Sequence, residues 1–94
     1  MDAAPAVLVV EAHEPTRALL RALLESEGYR VEVAATACDG MRCFDRSDFD
    51  LVLLDQQWSD FRAGATFCRE VRRRDPERGG SERTSHLPIL VLTA

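Results

Sequence analysis

The sequence predicts an α/β fold, a parallel sheet covered by helices on both faces, and three observations carry that prediction. The runs Leu51-Val52-Leu53-Leu54 and Ile89-Leu90-Val91-Leu92 are apolar without alternation, as suits strands buried on both faces; a half-wet antiparallel sheet would alternate. Each run stops on a polar residue, Asp55 in one case and Thr93 in the other. The segments between strand-like runs carry apolar residues at helical spacing, so the element order reads βαβαβαβ. In such sheets the ligand crevice lies beyond the carboxyl ends of the strands, which makes Asp55 the first candidate for chemistry.

Along the chain, Val7-Leu8-Val9-Val10 is a short buried strand ending at Glu11. Pro15 then opens a helix in which Leu19, Leu20, Leu23 and Leu24 form one apolar stripe. Gly28 stops this helix by supplying the left-handed conformation just past its end. Tyr29, Val31 and Val33 alternate with Arg30 and Glu32, the pattern of a strand at a sheet edge, so this strand is expected to be outermost. Thr36 to Arg46 places Ala37, Met41 and Phe44 at helical spacing; Gly40 inside it costs about 1 kcal/mol relative to Ala but permits close packing.

Ser47 to Asp50 is a turn into the central strand, and Gln56 to Gly64 is a loop before a third helix carrying Phe67, Cys68 and Val71. Asp75-Pro76 ends that helix. Pro76, Gly79, Gly80 and Ser81 mark Asp75 to Leu87 as a flexible connection longer than usual, with the look of an insertion. Pro88 suits the first position of the last strand, where its missing donor does little harm.

With 94 residues, 46% hydrophobic and 30% charged, the chain is expected to be one domain over 1–94, near the lower size at which a single core suffices. No apolar stretch approaches the roughly 20 residues that span a bilayer, and the N-terminus has no basic leader, so the expected compartment is the cytoplasm. The net charge of −4 argues against a nucleic-acid binder. Arg69, Arg72, Arg73, Arg74, Arg78 and Arg83 have no interleaved aromatic residues and read as a solvated face. Cys38, Cys43 and Cys68 are odd in number and lack metal or redox spacing, which leaves them as reduced thiols. Neither a Gly-rich phosphate loop nor a paired catalytic base is present, so no separate enzymatic activity is expected.

Three strand-end motifs occur in order: Val-Val-Glu at 9–11, Leu-Val-Leu-Leu-Asp at 51–55 and Pro-Ile-Leu-Val-Leu-Thr-Ala at 88–94. Together with Gly28-Tyr29 after the first helix and Cys68-Arg69-Glu70-Val71-Arg72 in the third, they make the chain resemble the receiver domain of two-component response regulators from Val7 to Ala94. The resemblance implies a three-layer, flavodoxin-like doubly wound parallel sheet, with strand order 2-1-3-4 and the fifth strand missing. It also implies that Asp55 is the phosphoacceptor, taking a phosphoryl group from a histidine kinase, a phosphotransfer protein or a small phosphodonor. A carboxylate at the exposed end of a central strand can attack phosphorus in line, which agrees with that role.

In the family, an acidic pair after the first strand holds Mg²⁺ together with the phosphoacceptor and the backbone carbonyl two residues beyond it. The corresponding ligands here are Glu11, Asp55 and the carbonyl of Gln57, but the second acid is replaced by Ala12, whose methyl group coordinates nothing. Mg²⁺ accepts several waters, so the implied site is weakened. His13 reads as a solvated residue of the strand-to-helix turn, and Glu14 favours the helix N-terminus. Thr93 matches the hydroxyl that follows the phosphoryl group and switches the output surface. The family commonly has Met-Pro and then Asp-Gly after the phosphoacceptor, where this chain has Trp58 to Gly64; Trp58 reads as scaffold packing, and Asp60 has no role fixed by its position.

The family continues with a helix, a lysine-bearing fifth strand and a last helix, none of which follows Ala94. The expectation is therefore an incomplete receiver: either the native chain is longer, or a second copy pairs through the unfinished sheet edge. Without the lysine, phosphate turnover by these residues alone is expected to be impaired. Two functions follow from the resemblance. The first is a phosphorylation-controlled switch acting on an output domain or partner protein. The alternative, favoured by Ala12, is a pseudo-receiver working as a phosphorylation-independent interaction module.

Overall fold

The computed structural model describes residues 4–55, 66–73 and 88–92. The expectations for Gln57, Trp58, Asp60, Gly64, Thr93, Arg74, Arg78, Arg83 and the 75–87 connection lie outside the described residues. The elements are β1 (Ala6–Val10), α1 (Glu14–Ser26), β2 (Arg30–Ala34), α2 (Ala37–Arg46), β3 (Leu51–Asp55) and β4 (Ile89–Leu92). A third helix, α3, occupies 66–73. All strand pairs are parallel, in the order β2-β1-β3-β4, and the βαβαβαβ reading holds. This is the three-layer doubly wound arrangement expected from the apolar runs.

β1 is buried at all five positions because it is covered on both faces. Leu8 and Val10, with Val52 and Leu54 of β3, face Phe44 of α2 and Phe67 and Val71 of α3. The alternate residues Val7, Val9 and Leu53 face Leu20 and Leu24 of α1. The alternation is one of direction, not of polarity, which is why the strand reads as a continuous apolar run. Phe49, in the turn before β3, stacks on Phe44 with ring centroids 6.4 Å apart. The same turn is tied to β1 by a reciprocal pair: Asp50 N–H donates to the Ala6 carbonyl at 2.8 Å, and Ala6 N–H donates to Asp50 Oδ2 at 2.9 Å.

Two sequence expectations are corrected. Of the four-leucine stripe on α1, Leu20 and Leu24 pack on the sheet, whereas Leu19 and Leu23 are 58% and 54% exposed. A stripe at i, i+1, i+4, i+5 is wider than one helix–sheet contact, and α1 leans on it along one edge. Tyr29 lies before β2 and is exposed instead of continuing the inward alternation of Val31 and Val33. It belongs to the helix stop: Gly28, with φ of 93°, donates to the Glu25 carbonyl at 3.0 Å, and Tyr29 N–H donates to the Leu24 carbonyl at 3.1 Å. These two bonds make a Schellman motif, which consumes Tyr29 before the strand begins.

α2 starts at Thr36, whose hydroxyl accepts from Asp39 N–H at 3.1 Å. Gly40 is buried against β1 and α3; a Cβ there would lie 2.9 Å from Val10 Cγ2 and 3.0 Å from Phe67 Cε1. Close approach, and not backbone conformation, is what excludes a side chain. Gly40→Ala is therefore expected to lower stability by about 1 kcal/mol, because overpacking of about 1–3 kcal/mol exceeds a helix-propensity gain of about 1 kcal/mol. Urea denaturation would show a lower midpoint at unchanged slope, partly restored by adding Phe67→Leu; a higher midpoint for Gly40→Ala would refute the packing argument.

Candidate functional site

The parallel register sets the site. Val10 pairs with Leu54, so the next residues, Glu11 and Asp55, stand side by side where β1 and β3 end. Glu11 N–H donates to the Ala34 carbonyl of β2 at 2.9 Å, which extends the ladder by one bond and holds Glu11 at the sheet edge. Asp55 is still within β3 and pairs with Leu92 of β4. Glu11 and Asp55 are 2% and 7% exposed, and among the described residues they are the two buried charged side chains. Carboxylates almost never take such positions without a partner, so their proximity marks this edge as the candidate site.

The β1–α1 turn organises this pair. Glu11 Oε2 accepts from His13 N–H at 3.0 Å. Arg17, one turn into α1, donates from its guanidinium to the Glu11 carbonyl at 2.9 Å and more loosely to the Ala12 carbonyl at 3.4 Å. The exposed His13 ring pairs with Thr16 through Nδ1 and Oγ1, 2.7 Å apart, in keeping with its reading as a solvated turn residue. Ala12 is exposed in the same turn, and its methyl side chain adds no donor or acceptor. Arg17 escaped the sequence reading, although one signal was available: an arginine six residues after a strand-terminal acid, on the first turn of the next helix, can reach back to the turn carbonyls.

Burial pushes the Glu11 carboxyl above its ordinary value of 4.5, and a hydrogen bond to Asp55 pushes it the same way. The His13 N–H, which favours the charged form, opposes both. Burial and the neighbouring Asp55 thus both favour the protonated form of Glu11. Hard oxygen ligands on two converging carboxylates fit Mg²⁺, which completes its octahedron with waters and carbonyls. Among the described residues no group of three or more His, Cys, Asp or Glu side chains is placed to hold a metal.

The remaining candidates lie elsewhere. Cys38 is exposed, Cys43 buried and Cys68 half-buried, with burial pushing the Cys68 thiol up. Arg69, Arg72 and Arg73 lie on α3, where Arg73 pairs with Glu70 at 3.2 Å. Among the described residues no helix is long and apolar enough to cross a membrane.

A parallel sheet of order 2-1-3-4 with two buried acids at its carboxyl edge is the architecture of a signalling receiver. The profile of the response regulator receiver domain matches residues 7–94, and the chain belongs to that family. It is 32% identical over 90 residues to the transcriptional regulatory protein AfsQ1 of Streptomyces coelicolor, covering 96% of this chain and 35% of that protein. To the aerobic respiration control sensor protein ArcB of Escherichia coli it is 36% identical over 88 residues, covering 94% of this chain and 10% of that protein. The chain thus spans about a third of the one relative and a tenth of the other. Its fold matches the receiver domain of the sensor histidine kinase PA1611 of Pseudomonas aeruginosa with a TM-score of 0.78 at 29% identity, over 98% of this chain and 69% of that one. That neighbour has a magnesium ion coordinated in its active-site cleft.

The raised proton affinity of Glu11 has a measurable consequence. A carboxyl whose folded-state affinity for protons is raised contributes stability that is complete below its ordinary value of 4.5 and is lost as pH rises through the raised value. Glu11→Gln keeps a donor for Asp55 and an acceptor for His13 without that ionisation. In chelator, the stability advantage of Glu11→Gln over the parent is expected to grow as pH rises from below 4.5 towards neutrality; urea titrations giving a constant difference would contradict the raised proton affinity of Glu11.

Proposed function

We propose that the chain is a phosphoacceptor receiver of a two-component phosphorelay, with Asp55 as the acceptor and a histidine kinase or phosphotransfer protein as the donor. The observation that carries the reading is the buried Glu11–Asp55 pair at the carboxyl ends of adjacent strands. A carboxylate oxygen of Asp55 attacks phosphorus, forming an acyl phosphate P–O bond while the P–N bond of a phosphohistidine breaks, and the departing imidazole nitrogen takes a proton from water. β3 aims the nucleophile, and the low exposure of Asp55 limits competition from water.

Glu11, Asp55 and the Gln57 carbonyl would hold Mg²⁺, which when bound supplies positive charge against the phosphoryl oxygens. Ala12 leaves this set one anionic ligand short, so transfer is expected to be slow. Arg17 and the His13 N–H are positioning groups: one fixes the turn carbonyls, the other the Glu11 carboxylate. Thr93 is the proposed switch residue, and its role stands on the strand-end motif. The compartment that suits this role is the cytoplasm, with an output domain or partner protein reading the switch. Residues 1–94 form one receiver unit in this reading, and the half-exposed Leu90 and Val91 of β4 support a covering contact at that edge, by other residues of the native protein or by a second copy.

A small acyl phosphate and Mg²⁺, followed by intact-mass measurement, provide the test. A phosphoryl adduct on the parent chain, absent from Asp55→Asn and formed about tenfold or more faster in Ala12→Asp, is the expected result; that factor corresponds to roughly 1.4 kcal/mol of barrier. An adduct appearing only in Ala12→Asp would instead assign the chain to the pseudo-receivers, which act by binding alone.

A further inference from the structure

The outer edge of β2 lies away from the acidic site and has features the phosphorelay reading does not use. β2 ends the sheet. Arg30 N–H donates to the Pro5 carbonyl and the Ala34 carbonyl accepts from Glu11 N–H, so the even-numbered residues of β2 face β1. Backbone direction alternates along a strand, which turns the N–H and C=O groups of Val31 and Val33 outward. These four groups have no protein partner among the described residues.

Two clefts flank this edge, and both touch Val33 and Arg17. The larger, about 460 Å³, runs along α2 and is lined by Arg17, Arg42 and Arg46 with one acid, Asp39. Its positive balance stands out in a chain of net charge −4. Arg42 and Arg46 are 74% and 68% exposed, and their ion pairs to Asp39 and Glu32 span 3.4 and 3.6 Å, surface pairs of the kind that contribute little and exchange readily. Arg17 is held by carbonyls, so its charge is not neutralised by those contacts. The smaller cleft, about 350 Å³, lies on the α1 side; there Ala18 and Ala22 leave room for small apolar groups, and the charged lining is balanced in sign.

We propose that the β2 edge is a docking site for an extended acidic segment of a partner protein, added as a further strand. Such a strand takes its main-chain hydrogen bonds from Val31 and Val33 and sends alternate side chains to opposite faces of the sheet. Acidic residues at every second position meet the arginines of the larger cleft, and small apolar residues between them enter the smaller one. Charge complementarity selects this occupant over a second copy, because β2 itself presents Arg30 and Glu32 at alternate positions and gives no acidic row.

The test uses the protein labelled with ¹⁵N and a blocked peptide alternating valine and glutamate. The amides of Val31 and Val33 are expected to shift and to gain protection from hydrogen exchange. Replacing the peptide glutamates by lysine, or Arg42 and Arg46 of the protein by serine, is expected to weaken binding about tenfold or more. Methylating the peptide nitrogens that face β2 is expected to abolish it. Failure to bind, equal binding of the lysine or N-methylated peptide, or the same shifts with inorganic tripolyphosphate would overturn strand addition. Shifts that depend on protein concentration without peptide would overturn it as well, by identifying a second copy as the occupant.

Discussion

Burial of β1 on both faces and along both edges is the constraint on which the rest of the structure depends. β1 pairs with β2 on one side and β3 on the other, and none of its five residues reaches solvent appreciably. Its hydrogen-bonding groups must therefore be met by neighbouring strands, and its side chains by helices above and below. That requirement places α1 on one face and α2 with α3 on the other. It also fixes where the chain leaves the sheet, since a one-residue slip of β1 against β3 would exchange the α1-facing and α2-facing residues and separate Glu11 from Asp55. Gly40 serves the same constraint from outside: it lets α2 come close enough to Val10 and Phe67 to close the layer.

The acidic edge is costly in isolation. Two carboxyl groups under the sheet's C-terminal rim desolvate and repel one another, which raises the proton affinity of Glu11, and the structure answers with a backbone N–H from His13 and a guanidinium that gathers the turn carbonyls. A cation bound beside the two carboxyl groups would change that balance. Ala12 matters in the same terms: it relieves repulsion in the resting protein and removes negative charge that a cation would otherwise find there.

Much of the fold was legible because strands buried on both faces leave a pattern that few other elements imitate. The runs ending at Glu11 and Asp55 were readable as strands from residue type alone, whereas the joining of the two acids in one site was implied by the resemblance to receiver domains. The helix stop at Gly28 is a local device that follows from short-range geometry, so its residue announces it, whereas the hydroxyl cap at Thr36 emerged with the structure. The α1 stripe shows the limit. Four leucines at 19, 20, 23 and 24 define an apolar arc, but which edge of the arc meets the sheet depends on where α1 sits over β1 and β2. Arg17 shows another limit, because its partners are backbone carbonyls, which leave no trace in a sequence.

The sequence by itself determined the α/β class, the order of the elements, the edge position of β2 and the identity of the two strand-terminal acids, because each depends on periodicity, local capping or residue chemistry. Only the tertiary structure decided that Glu11 is buried beside Asp55 with its proton affinity raised, that Leu20 and Leu24 face inward while Leu19 and Leu23 do not, and that arginines from two helices line the cleft beside β2. Those outcomes depend on distances between elements far apart in the chain, and such distances are set by how the layers settle on the buried strand.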